Sequence, residues 1–209
     1  MEFILWEELK DFSTWEWILL GIVVVLAIGA IVWLLVRPKK ETKTDVRALT
    51  YGAICIALSF VLSYVKLFSA PQGGSVTLGS MLPLMLYANR FGWKRGLVAG
   101  LAYGLLQFLQ KPEIYHWAQV LIDYPLAFTC LGLAGVCKPL PLGILIGAFG
   151  RFVCHTVSGF LFFSEVLDGA ALWVSVVYNG WYMLFDTLIC LVLSIPLTIL
   201  LKRTRIFQK

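Results

Sequence analysis

Asp123 lies inside the apolar run QVLIDYPLAFTCLGLAG, from Gln119 to Gly135, which is about long enough to cross a bilayer. A carboxylate near the centre of such a helix costs about 2.5–3.5 kcal/mol on insertion scales, so it normally faces a bundle interior, a partner group or a wet cavity. Gln119, Asp123 and Ala127 recur every four residues on one helical face, and Pro125 loosens the backbone hydrogen bonding beside them. Together they describe a polar notch. Two further apolar runs carry polar stripes: Arg151, His155 and Gly159 with Ser158 beside them, and Ser175, Asn179, Tyr182 and Asp186 at spacings of four, three and four. A helical rise of about 1.5 Å per residue sets Asp123 roughly 9 Å, and His155 and Asn179 roughly 12 Å, below the same membrane face. Three helices therefore offer polar groups at one depth, as a ligand cavity open to that face requires.

Tyr115, Trp117, Tyr124, Phe162, Phe163, Trp173, Tyr178 and Tyr182 cluster toward the same face and supply aromatic walls, several of them as interface anchors. A carboxylate among π faces suits a cationic or amino-bearing heteroaromatic ligand. Arg151 and Asp186 fall deeper and read as architectural residues, paired with each other or with a neighbour. No acid–base chain crosses the membrane, which argues against a self-sufficient ion-coupled transporter.

These residues must be positioned by membrane helices. Of 209 residues 60% are hydrophobic and the mean hydropathy is +0.85, against about 45–50% apolar residues in soluble domains. Domain organisation reads as an N-terminal segment, residues 1–40, with an anchor helix over Trp15–Val36, followed by one membrane domain over residues 46–205. Within that domain the spacing predicts helices over Val46–Lys66, Leu78–Asn89, a run ending near Gln110, the Asp123 segment, Leu142–Phe163 and Ala171–Leu201. Pro71, Gly73 and Gly74 mark an irregular loop at the cavity mouth that could serve as a lid. Gly96, Gly100 and Gly104 form a small-residue packing face, and Ala53 and Ala57 a second short one.

The net charge of +5 resolves into one-sided clusters: Arg37, Lys39, Lys40, Lys43 and Arg47; Arg90, Lys94 and Arg95; Lys138; and Lys202, Arg203, Arg205 and Lys209. Basic loops mark the cytoplasmic side, so the N-terminus is expected outside and the C-terminus inside, and the basic balance calls for no nucleic acid partner. Cys55, Cys130, Cys137, Cys154 and Cys190 form no CxxC pair and read as packing residues without a metal site. The sequence contains no GxxxxGK[ST], HExxH or GxSxG motif, so ATP hydrolysis, zinc hydrolysis and an elbow-type serine nucleophile lack support. Transport by this chain would need a separate engine.

The segments PQGGSVTLGSMLPLMLYANRFGWKRGLVAG, QVLIDYPLAFTCLGLAG, RFVCHTVSGFLFF and VVYNG, in this order and spacing, resemble the thiamine-binding S component of energy-coupling factor (ECF) transporters. The resemblance covers about residues 46–205. It implies an all-α membrane protein, a six-helix S-component bundle here preceded by one extra N-terminal transmembrane helix. It also implies that the bundle captures thiamine from outside, uses no cofactor or catalytic residue, and topples to deliver its ligand with a transmembrane coupling subunit and two cytoplasmic ATPases. An acidic residue at the position of Asp123 is then expected to contact the aminopyrimidine. His155, Asn179 and adjacent aromatics complete the pocket, Tyr124 and Gly159 match pocket positions, and Gln119 accompanies the motif. Phe163 stands where some relatives carry Trp, Val174 where they carry Tyr, and Asp123 where they carry Glu. Tyr178 and Tyr182 are expected in the pocket wall, and Ala53 and Ala57 match the pattern that docks the coupling subunit. The competing readings are the same scaffold with another vitamin, an intramembrane enzyme using Asp123, His155 and Asp186, and a purely structural subunit.

Overall fold

Helical runs dominate because the chain's apolar segments satisfy their own backbone hydrogen bonds, as lipid demands. The computed structural model describes residues 45–70, 73–162 and 171–204. Chain contacts fall into two units, Met1–Asp45 and Val46–Lys209. The anchor helix expected over Trp15–Val36 lies outside the described residues, as does Phe163.

Among the described residues six helical runs follow in order, which we number α1 Val46–Ser63, α2 Leu82–Phe91, α3 Trp93–Gln110, α4 Trp117–Gly135, α5 Leu140–Phe162 and α6 Ala171–Thr204. Four of them, α1, α4, α5 and most of α6, are long and apolar enough to cross a membrane. The short helix expected over Leu78–Asn89 begins instead at Leu82, with Pro83 in its first turn, where a missing N–H costs nothing. Its ten residues rise about 15 Å, about half of a bilayer core. Yet α2 is central: Leu84, Met85 and Ala88 are fully buried and pack against α1, α3, α4 and α5. Gly92, at φ +97°, ends α2 and opens α3 in one residue: its N–H reaches Ala88 O and its carbonyl accepts from Gly96 N.

The residues flanking the loop expected around Pro71–Gly74 pair as strands, which the sequence does not indicate. Strand β1, Lys66–Ser69, pairs antiparallel with β2, Ser75–Thr77, with Phe68 opposite Val76 and Ser69 opposite Ser75. The all-helical expectation therefore gains one short hairpin. It is stitched by Ala70 N to Gly74 O at 2.6 Å and packs through Val76 on Tyr182 and Met183 of α6.

The expected glycine face of α3 makes a close helix contact beside the site. A Cβ on Gly100 would meet the backbone of Phe128 and Thr129, and one on Gly104 the carbonyl of Tyr124. Lipid tails are as apolar as side chains, so close backbone approach carries helix association here in place of a hydrophobic gain. The result presses α3 onto the stretch of α4 that contains Asp123.

Candidate ligand-binding site

Helix α4 changes winding three times. It is α-helical over Trp117–Leu121, widens to a π-turn over Ile122–Leu126, returns to α over Ala127–Thr129 and tightens to 3₁₀ over Cys130–Gly135. Pro125 is the cause: it has no N–H to donate and its ring would strike the carbonyl one turn back, so the helix admits an extra residue. The expected loosening thus takes the form of a wide turn that carries Asp123 and Tyr124 toward the bundle interior.

There Asp123 is held on both oxygens. Gln119 Nε2 donates to Oδ2 at 2.7 Å, and His155 Nδ1 of α5 stands 2.9 Å from Oδ1. Gln119 is itself fixed, its Oε1 accepting from Tyr115 N at 3.2 Å. The other ring nitrogen of His155, Nε2, accepts from Arg151 Nε at 3.2 Å. Asn179 of α6 closes the triangle, donating to His155 O at 3.3 Å and to Ser175 O at 3.0 Å, while its Oδ1 accepts from Tyr182 Oη at 3.0 Å. The three helices meet at one depth.

Below them Arg151 Nη1 lies 3.8 Å from Asp186 Oδ2, and its guanidinium sits 4.4 Å over the Phe128 ring. Asp186 is 1% exposed and accepts from Thr77 N and Thr77 Oγ1, both at 2.9 Å. The expected architectural pair is therefore present, but it is joined to the upper cluster through His155 and to the hairpin through Thr77. Thr77 had a signal in the sequence, since a hydroxyl three residues before Ser80 is a side-chain turn pattern; its Oγ1 accepts from Ser80 N at 3.2 Å and lies 2.8 Å from Ser80 Oγ.

These side chains surround a chamber of about 210 Å³. One water occupies about 30 Å³ in the liquid, so the space suits an organic ligand. Asp123, His155, Gly159, Asn179 and Tyr182 line it together with Gln119, Tyr124 and Tyr178. Gly159 brings α5 and α6 together, because a Cβ there would strike Ser175 Oγ. Tyr178 Oη accepts from Gly74 N at 3.2 Å and ties the hairpin to the chamber wall. Tyr124 offers only its ring, since its hydroxyl donates to Lys111 O at 2.8 Å and accepts from Glu113 N at 3.0 Å. The aromatic wall is narrower than expected, for Trp173 is 72% exposed and faces outward. A polar lobe of Ser63, Gln107 and Gln110 also borders the space, with Gln107 Nε2 donating to Ser63 Oγ at 3.0 Å; two glutamines three apart in an apolar helix were the available signal.

Ala53 and Ala57 lie elsewhere, on the exposed face of α1 among Leu49, Ile54 and Leu58, while Gly52 turns inward against Tyr87. Among the described residues no cluster of metal-ligating side chains occurs. The chemistry available at Asp123 is recognition. Both nitrogens of His155 are committed to neighbours, and Ser175 Oγ donates to Thr156 O at 3.0 Å, so neither is arranged as a base and nucleophile pair.

The helices and chamber define an integral membrane protein that binds a small molecule. The family model described as Thiamine transporter protein (Thia_YuaJ) matches residues 49–207, and the chain belongs to that family. Thiamine transporter ThiT of Bacillus subtilis is 32% identical over 160 residues, 66% of this chain and 83% of that protein. The ThiT of Lacticaseibacillus paracasei is 26% identical over 163 residues, 67% of this chain and 81% of the relative. A solved structure of ThiT from Listeria monocytogenes superposes with a TM-score of 0.68 at 29% identity, covering 79% of this chain and 98% of that one.

Proposed function

We propose that the chamber captures thiamine on the outer side of the membrane and that the chain acts as the substrate-binding S component of an ECF transporter. The observation that carries this reading is the charge of the chamber. Two carboxylates in the chamber wall, the half-buried Asp123 and the buried Asp186, stand against one guanidinium, Arg151, which leaves one negative charge beside aromatic walls. Thiamine brings one fixed positive charge on its thiazolium and a neutral aminopyrimidine with N–H donors. Asp123 then receives the amino group, while the rings of Tyr124, Tyr178 and Tyr182 offer faces to the cation. Lys66 and Lys111 are exposed at the mouth, where solvent screens them, and Lys111 pairs with Glu113 at 2.5 Å. Phe163 is proposed as a further pocket aromatic from the resemblance.

Family membership supports a transporter subunit in preference to an enzyme, and the absent ATP-binding motif supports an engine on separate chains. The exposed small-residue face at Ala53 and Ala57 is proposed to receive the transmembrane coupling subunit, with two cytoplasmic ATPases beyond it. Basic residues at the end of the bundle away from the chamber support a cytoplasmic C-terminus.

Intrinsic tryptophan fluorescence of the purified chain should change saturably on thiamine addition. His155→Ala should weaken that binding by about tenfold or more through loss of a charge-assisted bond. Unaltered affinity in that variant would remove the imidazole from the site. In cells supplied with the coupling partners, Ala53→Trp should bind thiamine like the parent yet stop its uptake. Normal uptake would reject the docking face.

A further inference from the structure

Five cysteines are spread along the chain, and two of them meet across the seam between α4 and α5. Cys130 Sγ lies 3.7 Å from Cys154 Sγ. Local winding brings this about. Seven residues of unbroken α-helix return nearly to the starting face, which would put Cys130 below Asp123 and aim it into the chamber. The extra residue admitted by the π-turn over Ile122–Leu126 offsets that face by about 100°, and Cys130 leaves the chamber wall for the α5 seam. On α5, Cys154 stands one residue, again about 100°, from the chamber-lining His155. Gly150, one turn before Cys154, clears the space: a Cβ there would lie 3.0 Å from Cys130 Cβ and 3.6 Å from its Sγ. Neither cysteine borders the chamber. Cys130 is half-buried, and the same stretches of the two helices expose Leu126, Phe149, Val153 and Val157 on the outside of the bundle, where lipid lies.

We propose that Cys130 and Cys154 form a redox-active dithiol, which a lipid-borne quinone converts to a disulfide that ties α4 to α5 beside the chamber. The proposal stands apart from the identity of the chamber's ligand. Bond formation closes the two sulfurs from 3.7 Å to about 2.0 Å, a step within reach of side-chain rotation because Gly150 already brings the α5 backbone against Cys130. Two S–H bonds break and one S–S bond forms. The two electrons and two protons pass to the quinone, which leaves as the hydroquinone. A small thiol reverses the step by exchange through a mixed disulfide. Depth selects the oxidant: by helical rise Cys154 lies roughly 13 Å below the outer face, inside a hydrocarbon layer about 30 Å thick. A quinone dissolves there, whereas a charged oxidant confined to water does not. The cross-link joins the two helices whose Asp123 and His155 meet at 2.9 Å, and it does so without entering the ligand space.

The test takes the full chain, reduced and kept free of oxygen in phosphatidylcholine vesicles, and adds decylubiquinone. Denaturation, alkylation and mass spectrometry then count the free thiols. The count should fall from five to three, with Cys130 and Cys154 recovered in one cross-linked peptide, and dithiothreitol should restore five. Cys130→Ser and Cys154→Ser, which keep the side chain's size, should each retain all of their remaining thiols under the same treatment. Oxidised glutathione on both sides of the vesicles, in place of the quinone, should leave the parent at five. Thiamine affinity should be the same in the reduced and cross-linked chains, because neither sulfur lines the chamber. Five free thiols after quinone treatment, a disulfide between any other pair, or oxidation by glutathione as complete as by the quinone overturns the proposal. A cross-linked chain that binds thiamine more weakly than the reduced one overturns the placement of the bond outside the chamber. Should thiamine bind neither form, the ligand reading falls and the thiol count still decides the cross-link.

Discussion

Asp123→Asn should raise the dissociation constant for thiamine by about a hundredfold or more while leaving the purified protein folded. The side chain keeps its size, so helix α4 and its π-turn are undisturbed. Two contributions are lost together. The charge-assisted bond to the ligand amino group is worth about 1.5–3 kcal/mol, and the chamber's single uncompensated negative charge, which attracts the thiazolium, disappears. The substitution also sets an amide N–H₂ against either Gln119 Nε2 or His155 Nδ1, both of which donate to the present carboxylate. One of them must turn away, and Gln119 can do so only by releasing Tyr115 N. Titration calorimetry on both proteins is the check, with size-exclusion chromatography to establish folding. Full affinity in the variant would remove Asp123 from recognition.

Gly100→Val should have the largest effect on the scaffold. Even a Cβ at this position meets the Phe128 carbonyl and the Thr129 backbone, groups that have no rotamer to yield. Overpacking of this type costs about 1–3 kcal/mol when side chains can move, and more is expected where only backbone can. Helix α3 would be levered from α4 next to the proline turn that carries Asp123 and Tyr124. The variant should lose much of its thermal stability in detergent and its thiamine binding together. Ala57→Val, on the exposed face of α1, should change neither. A stable Gly100→Val protein with parental binding would contradict the packing account.

The site was legible in the sequence where burying a polar residue is expensive. Asp123, His155 and Asn179 stand out because lipid tolerates such groups only with partners, and their helical depths foretold that they would meet. Pro125 likewise announced a weakened helix, although the residue types do not say whether the turn widens, kinks or breaks. The family's own motifs then named the ligand class. What could not be read were contacts decided by three-dimensional direction. Arg151 and His155 sit four apart, so their proximity was visible, but that Nε of the one would point at Nε2 of the other was not. Arg151 therefore read as an architectural residue, paired with Asp186 or with a neighbour.

The hairpin was hidden for a different reason. KLFS and SVT are too short to show a two-residue period, and the Gly-rich stretch between them resembles any connecting loop. It forms because α6 supplies its floor, with Tyr178 Oη bonded to Gly74 and Asp186 to Thr77. The same elements make it a wall of the chamber. Trp173 illustrates the opposite error, in which an aromatic at the right depth faces outward because depth does not specify the helix face.

The most direct test of the central claim is an experimental structure of the full chain with thiamine bound. The account predicts the pyrimidine amino nitrogen within hydrogen-bonding distance of the Asp123 carboxylate, with the thiazolium against the tyrosine faces. Thiamine bound outside this chamber, or seated with its thiazolium end at Asp123 and its amino group elsewhere, would contradict it.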